Sequence, residues 1–558
     1  MANFQNEEEN RSRLSVIKEP LPLEEKTFDD SIAVDIPDDD ESTFFSWRKL
    51  WAFTGPGFLM SIAYLDPGNI ESDLQAGAQA EYRLLWVLLV SHIVGMLLQR
   101  MSARLGVVSN RHMAEIAHEY YPLVPRICLW LMIEIAIVCS DMQEVIGTAI
   151  AIYLISKGKI PLLFGVLITI LDTFTFLLID RYGVRKLEAV FVTLISIMII
   201  TFGYEFIVMK PAIVEVITGT VVPWCSGCGK EEIITAISIF GAVIMPHNFY
   251  LHSALVKSRK IDRTNQKRIA EANKYFSIES AFALFVSFFI NLFVLSVFAR
   301  GLYHKTNEDV SSMCLAHHDI PDSDVFPNNT DPVEVDLYQG GIYLGCQFGL
   351  LAMIIWSIGI FAAGQSSTMT GTYTGQFVME GFIKITWPKW KRVLITRGVA
   401  ITPTLILCLQ AHGIKNLTGM NDLLNCVQMV QLPFALIPMI TFTSSERIMG
   451  NFRNSKATQI FALVCGVLTI AVNIYFIIDT ITDRLGTEWY IFLIFTPITI
   501  VYMAFIVYLT VYCLVECDII DDSRMIPGFD FHRKLNIDSP WVKHTTPHLN
   551  NGFSTDHM

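Results

Sequence analysis

Charge is scarce in this chain of 558 residues: Asp, Glu, Lys and Arg together make up 17%, against about 25% in a typical soluble domain. That shortage argues against a soluble enzyme. Positive charge is the scarcer sign, 41 Lys and Arg against 53 Asp and Glu for a net of −12, so the chain lacks the basic balance a nucleic-acid partner favours. Cysteine is thin as well, 11 residues, too few for a disulfide scaffold. The N-terminus has no apolar core and is not a signal peptide. It reads NEEENRSRLSVIKEPLPLEEK, an acidic run with proline that cannot bury enough surface to fold. Two enzyme-like motifs are incomplete. His118-Glu119 begins like a metalloprotease helix, but Tyr120-Tyr121-Pro122 follow and the second His is missing. Cys225-Ser226-Gly227-Cys228 has no second CxxC pair to complete a zinc site.

What the chain has in plenty is apolar sequence: 52% hydrophobic residues, 37 of the residues Phe, and a mean hydropathy of +0.44. It falls in blocks of about 20 residues, the length of a helix that crosses a bilayer. The expectation is an all-α polytopic membrane protein with about twelve spans, at 47–64 (resuming after 66–69), 84–101, 127–155, 160–179, 187–208, 233–255, 275–302, 340–363, 393–411, 420–442, 457–478 and 488–515. Residues 1–45 and 517–558 are expected as polar cytoplasmic tails around a transporter domain at 46–516.

Positive residues stay in the cytoplasm. Arg48 and Lys49 precede the first span, Arg100, Arg104 and Arg111 follow the second, and Arg181, Arg185 and Lys186 follow the fourth. The loop after the sixth is the most basic, with Lys257, Arg259, Lys260, Arg263, Lys267 and Arg268. All fall on one side if the N-terminus is inside, and an even span count returns the C-terminus there. The long acidic loop between the seventh and eighth spans is then outside. Its sequon Asn328-Asn329-Thr330 fits glycosylation at Asn328; a second sequon at Asn416 lies too near the membrane to carry the same weight. The outside is oxidising, so Cys225 or Cys228 is expected in a disulfide, and Cys314 and Cys346, flanking the long loop, can pair with each other. His317-His318 in that loop reads as a solvated pair.

Two spans carry proline and polar residues at mid-membrane depth: Asp66-Pro67-Gly68-Asn69 in the first and Met245-Pro246-His247-Asn248 in the sixth, 179 residues apart. Both read x-Pro-x-Asn. A repeat of five spans has inverted topology, the pattern of transporters whose discontinuous helices meet at the midplane. Proline removes a backbone donor, and unwound backbone is tolerated in a bilayer only where protein buries it or it lines a cavity. A plain kink is the ordinary account of one proline; two matched breaks point to a site. Asp66 offers a hard anionic oxygen, Asn69 an amide oxygen, Met245 a thioether, and Ala242 a carbonyl freed by Pro246. Mg²⁺ and Ca²⁺ take oxygen alone, so a mixed set points to a divalent transition metal such as Fe²⁺ or Mn²⁺.

At these residues the sequence resembles the natural resistance-associated macrophage protein (Nramp) family, animal-type divalent metal transporters. The resemblance extends to Gly364-Gln365-Ser366-Ser367-Thr368-Met369-Thr370-Gly371-Thr372-Tyr373, placed after the eighth span, and to Gln431-Leu432-Pro433-Phe434-Ala435 in the tenth. It implies a LeuT-like fold in which the first ten spans form the 5+5 inverted repeat. It also implies proton-coupled symport of Fe²⁺ and Mn²⁺ into the cytoplasm, with Co²⁺ and Cd²⁺ accepted. The family's ligands fall on Asp66, Asn69, Met245 and the Ala242 carbonyl, with a tenth-span glutamine at Gln431 or, as the weaker choice, Gln428. Metal and proton are then cargo, no resident cofactor or enzyme activity is expected, and the partners are those ions and membrane lipid. The expected setting is the plasma membrane, an endosomal membrane or both, as a monomer. An ion-coupled amino-acid carrier of the same fold is the alternative, but Asp66 would repel a substrate carboxylate and Met245 would have no clear task.

Ionisable residues inside a membrane are functional candidates. Glu134, Asp141 and Glu144 of the third span are spaced seven and three residues apart, on one helix face. Facing the interior, they can relay protons or pair with Arg397 of the ninth span. His247 is titratable near neutral pH and close to Met245. The resemblance assigns His247 and the acids to proton movement; a static salt-bridge network is the competing account.

Overall fold

The computed structural model describes residues 34–37, 45–169, 184–315, 320–322, 324–384, 387, 389–410, 420–479, 482 and 489–520. Most of both tails, the second half of the fourth span, Arg181, His317-His318 and the Asn416 sequon lie outside the described residues. Among the described residues the regular elements are helices, and nine helical stretches are long and apolar enough to cross a membrane. The three remaining expected spans are the first, which is broken into short pieces, the partly described fourth, and the ninth at Lys389–Gln410.

The first span comprises α1 (Trp47–Phe53), α2 (Pro56–Ile62) and α3 (Pro67–Ala80). Two breaks divide it where one was expected. The additional one lies at Thr54 and Gly55, where Gly55 takes φ 144°, a region glycine alone enters freely; Pro56 then restarts the helix at its first position, where its missing N–H costs nothing. The second and third spans are α4 (Leu85–Ser109) and α6 (Leu123–Ile155), joined by the short α5 (Met113–Tyr120), and the fifth is α7 (Val184–Met209). The sixth divides into α8 (Lys230–Val243) and α9 (Pro246–Leu255). After α10 (Gln266–Leu302) the chain follows the long acidic loop to α11 (Leu337–Phe348) and α12 (Leu350–Ile383).

This corrects the expected eighth span. The range 340–363 straddles Gly349, which takes φ 89° and ends α11; the membrane helix is α12. Hydropathy could not find that joint because the sequence is apolar on both sides of it. The Gly364 motif consequently lies in the middle of α12 rather than after the span. The remaining elements are α13 (Lys389–Gln410), α14 (Met420–Gln431), α15 (Pro433–Ser444), α16 (Lys456–Asp479) and α17 (Trp489–Glu516). The tenth span is also divided, at Leu432, before Pro433 at the first position of α15.

The broken spans occupy the centre. Every residue of α9 and α15 is buried, whereas α16 and α17 present Val464, Val467 and Leu468, and Ile498, Ile500 and Val501, outward, as lipid-facing helices do. The basic segments meet at one end. Lys49 pairs with Glu271 at 2.6 Å, Lys257 with Glu115 at 3.0 Å, and Arg259 with Glu188 at 2.7 Å. These pairs tie the start of the first span to the start of α10, and the loop after the sixth span to α5 and to the start of α7, so the segments that charge alone puts on a common side lie together. At the opposite end Cys314 pairs with Cys346 and Cys225 with Cys228, and Asn328 is exposed.

Candidate functional site

Asp66 caps the start of α3, and its carboxylate is built into that cap. Oδ1 accepts from the Asn69 backbone N–H and from Asn69 Nδ2, both at 2.7 Å, the usual role of an aspartate at a helix N-cap. The other oxygen is spare: among the described residues Asp66 Oδ2 and Asn69 Oδ1 have no hydrogen-bond partner although both side chains are buried. On the facing break, α8 stops at Val243 and Met245 caps α9. Pro246 has no N–H to return to the Ala242 carbonyl. Ala242, Met245 and His247 are buried, and His247 Nδ1 has no partner among the described residues.

The two broken spans are joined side by side. Ser72 Oγ of α3 and Ser238 Oγ of α8 are 2.9 Å apart. Asn425 of α14 donates to Ser72 Oγ at 2.8 Å and to the Gly68 carbonyl at 3.2 Å. Gln143 of α6 donates to Asn425 Oδ1 at 2.6 Å and to the Asn421 carbonyl at 3.1 Å, and Gln428 donates to Gln143 Oε1 at 2.8 Å. Asn421 in turn donates to Glu71 Oε2 at 2.6 Å. A ladder of amides therefore binds α3, α6, α8 and α14 around the break. Gly68 is required by this closeness: a Cβ there would stand 2.6 Å from Gln143 Nε2.

Of the two tenth-span glutamines, Gln428 belongs to this ladder through its amide nitrogen, while its Oε1 is likewise unpartnered among the described residues. Gln431 is the last residue of α14, buried, with Oε1 unpartnered among the described residues. Gln143, Asn421 and Asn425 are not marked in the sequence, because they lie away from the proline breaks and carry no charge. Gln143 lies between two of the noted acids, and the two asparagines sit four residues apart on a helix, so a search for amides on shared faces would have found them.

The acids of α6 separate into two groups. Arg397 of α13 lies 3.2 Å from Asp141 Oδ1 and 3.2 Å from Glu144 Oε2. It also donates from Nε to Thr372 Oγ1 at 3.1 Å and from Nη2 to the Thr368 carbonyl. Ser367 donates to Glu144 Oε1 at 2.7 Å. The Gly364 motif of α12 thus forms the cradle of the buried pair, and Gly371 leaves room for it, since a Cβ there would be 2.5 Å from Asp141 Oδ1. Glu134 stands outside this cluster, half-buried, and accepts from Trp130 Nε1 at 2.9 Å. Asp141 and Glu144 are buried together and Glu134 is not, because seven residues carry Glu134 about 10 Å along the helix axis from Asp141.

Among the described residues no three His, Cys, Asp or Glu cluster as a conventional metal site. What the two breaks offer is one carboxylate, an amide oxygen, a freed carbonyl and a thioether. A family model described as natural resistance-associated macrophage protein-like matches residues 57–479. The NRAMP-like transporter smf-2 of Caenorhabditis elegans is 80% identical over 524 residues, covering 94% of this chain and 96% of that protein. Natural resistance-associated macrophage protein 2 of Homo sapiens is 55% identical over 482 residues, covering 86% of this chain and 84% of its own. The crystal structure of a manganese transporter from Eremococcus coleocola superposes with a TM-score of 0.74 at 29% identity, covering 87% of this chain and 98% of that one.

Proposed function

Because the chain belongs to the natural resistance-associated macrophage protein-like family, multi-pass membrane transporters of LeuT-like fold rather than enzymes, we propose that it carries divalent transition-metal ions into the cytoplasm with protons. Fe²⁺ and Mn²⁺ are the foremost substrates, with Co²⁺ and Cd²⁺ accepted. The observation that carries the reading is the pair of buried oxygens of Asp66 and Asn69, unpartnered among the described residues, at the break of the first span, which the Ser72–Ser238 contact joins to the broken sixth span that carries Met245 and the Ala242 carbonyl. A buried carboxylate oxygen without a donor is costly, and a cation compensates it. The thioether disfavours ions that take only oxygen. Gln431 or Gln428, each with a buried Oε1 unpartnered among the described residues, completes the set from the tenth span.

The proton path proposed here runs through His247 and the Asp141–Glu144–Arg397 cluster. Two carboxylates share a single guanidinium in a buried place, which leaves one negative charge uncompensated unless a proton is held there. Glu134 stands beyond the cluster as a further acceptor on the same helix. In this reading both tails are cytoplasmic, Asn328 is glycosylated outside, and the protein works as a monomer in the plasma membrane, an endosomal membrane or both. The test is uptake of radioactive Fe²⁺ and Mn²⁺ in cells, beside labelled amino acids, at about pH 5.5 and about pH 7.4, values on either side of the histidine range. Metal uptake that rises with acidity supports the proposal; uptake of amino acids and not metal overturns it.

A further inference from the structure

Arg259 is buried to 1% exposure at the end where the basic segments meet. Every nitrogen of its guanidinium donates. Nε donates to the Ala52 carbonyl at 2.9 Å, Nη2 to the Thr54 carbonyl at 2.7 Å and to Glu188 Oε1 at 2.7 Å, and Nη1 to Ser258 Oγ at 2.9 Å. Ala52 and Thr54 are the end of α1 and its cap, beside the break at Gly55. On the other side of that break the Gly57 N–H donates to Glu279 at 3.0 Å, and the Gly55 N–H donates to the same oxygen. The break at Gly55 in the first span is therefore held by Arg259 on one side and Glu279 on the other.

A segment of the N-terminal tail lies on the strand of backbone that carries Arg259. Val34 N–H donates to the Ser258 carbonyl at 3.0 Å, and Lys260 N–H donates to the Val34 carbonyl at 3.1 Å, a parallel bridge that brackets Arg259. Asp35 pairs with Lys260 at 3.0 Å, and Ile36 packs against the main apolar core. The charges are complementary: the loop is the most basic in the chain and the tail is acidic. The Asp35–Lys260 pair is exposed and contributes little by itself; the two backbone bonds and Ile36 fix the place.

We propose that the surface at 258–260 is a docking site for this chain's own tail segment 34–36, and that docking stabilises this bonded arrangement of the first span by immobilising Arg259. Alternating access in broken-helix transporters requires one half to move against the other, so a bound tail slows opening to the inside. The proposal rests on the transport reading for its consequence but not for its geometry, and the experiment separates them. Full-length protein in lipid nanodiscs is compared with Val34→Pro, which deletes the N–H donor, Val34→Ala, which keeps it, and a chain lacking residues 1–37, by hydrogen–deuterium exchange. Amides in 52–57 and 256–260 should exchange at least about threefold faster in the Pro variant and the truncation, as local opening becomes easier, and at the parent rate in Val34→Ala. Exchange unchanged in both the Pro variant and the truncation overturns the docking, and leaves the loop to lipid. Faster exchange with no metal uptake by the parent would instead fault the transport reading and leave the docking standing.

Discussion

Gln143 and Asn425 meet amide to amide at 2.6 Å, joining the long third span to the first half of the tenth. Because Asn425 also holds the Gly68 carbonyl, the contact fixes the turn that carries Asp66 and Asn69 against two helices at once. Position, rather than charge, is what these amides supply.

Gln143→Leu tests that. It leaves the Gln428 amide and Asn425 Oδ1 buried without their partner, a loss of ~1–3 kcal/mol for each group left unpaired. The expected outcome is a lower melting temperature together with at least about a fivefold fall in metal uptake per molecule at the surface, about 1 kcal/mol expressed as a rate. Thermal unfolding of the purified protein and uptake normalised to surface biotinylation measure the two. A variant as stable and as active as the parent would show that the amide ladder does not position the break.

Asp66→Ala removes the sole anionic ligand of the proposed set. Dehydrating a divalent ion for neutral ligands alone is unfavourable, so uptake should disappear while the protein still reaches the membrane. The Asn69 backbone N–H also loses its cap, worth ~1 kcal/mol, which surface biotinylation will show to be tolerated. Normal uptake by this variant would remove the site assignment entirely.

How much of this was open to a reader of the sequence depended on the kind of signal. Pro67 and Pro246 announced their breaks because proline cannot donate, and hydropathy found the spans whose ends are marked by charge. Gly349 and the Thr54–Gly55 break were hidden, since a glycine inside apolar sequence leaves the hydropathy profile unchanged. The pairing of Asp141 and Glu144 with Arg397 was legible as a demand for burial of charge, but the cradle of Ser367, Thr368 and Thr372 was not. Hydroxyls reveal a role only once the helix that carries them is set against its neighbour.

Met245→Ala should keep part of the Mn²⁺ uptake and lose selectivity. The thioether is the soft member of the proposed set, and without it the remaining ligands are hard oxygens that suit Ca²⁺ and Mg²⁺. Competition of Mn²⁺ uptake by Ca²⁺ should become stronger by about tenfold, ~1.4 kcal/mol in relative affinity. If the variant is fully active and rejects Ca²⁺ as well as the parent does, Met245 is packing and not a ligand.

The final prediction separates proton coupling from a structural salt bridge. His247 lies two residues from Met245, and Glu144 shares Arg397 with Asp141. If these groups carry the proton, His247→Ala should weaken the dependence of uptake on an inward proton gradient more than it weakens metal binding, since His247 is not among the proposed ligands. Asp141→Asn and Glu144→Gln each remove the surplus negative charge beside Arg397, so neither site needs a proton for balance, and metal-evoked acidification should fall although the helices remain joined. A static network gives a different pattern. Breaking a buried pair costs ~3–5 kcal/mol, so expression and all transport would fall together with no particular change in pH response. Fe²⁺ uptake and cytoplasmic acidification, followed together from about pH 5.5 to about pH 7.5 across the ordinary histidine range, distinguish the two. Unchanged acidification at normal uptake in all three variants would eliminate this route and leave Asp66 as the remaining carrier of the proton.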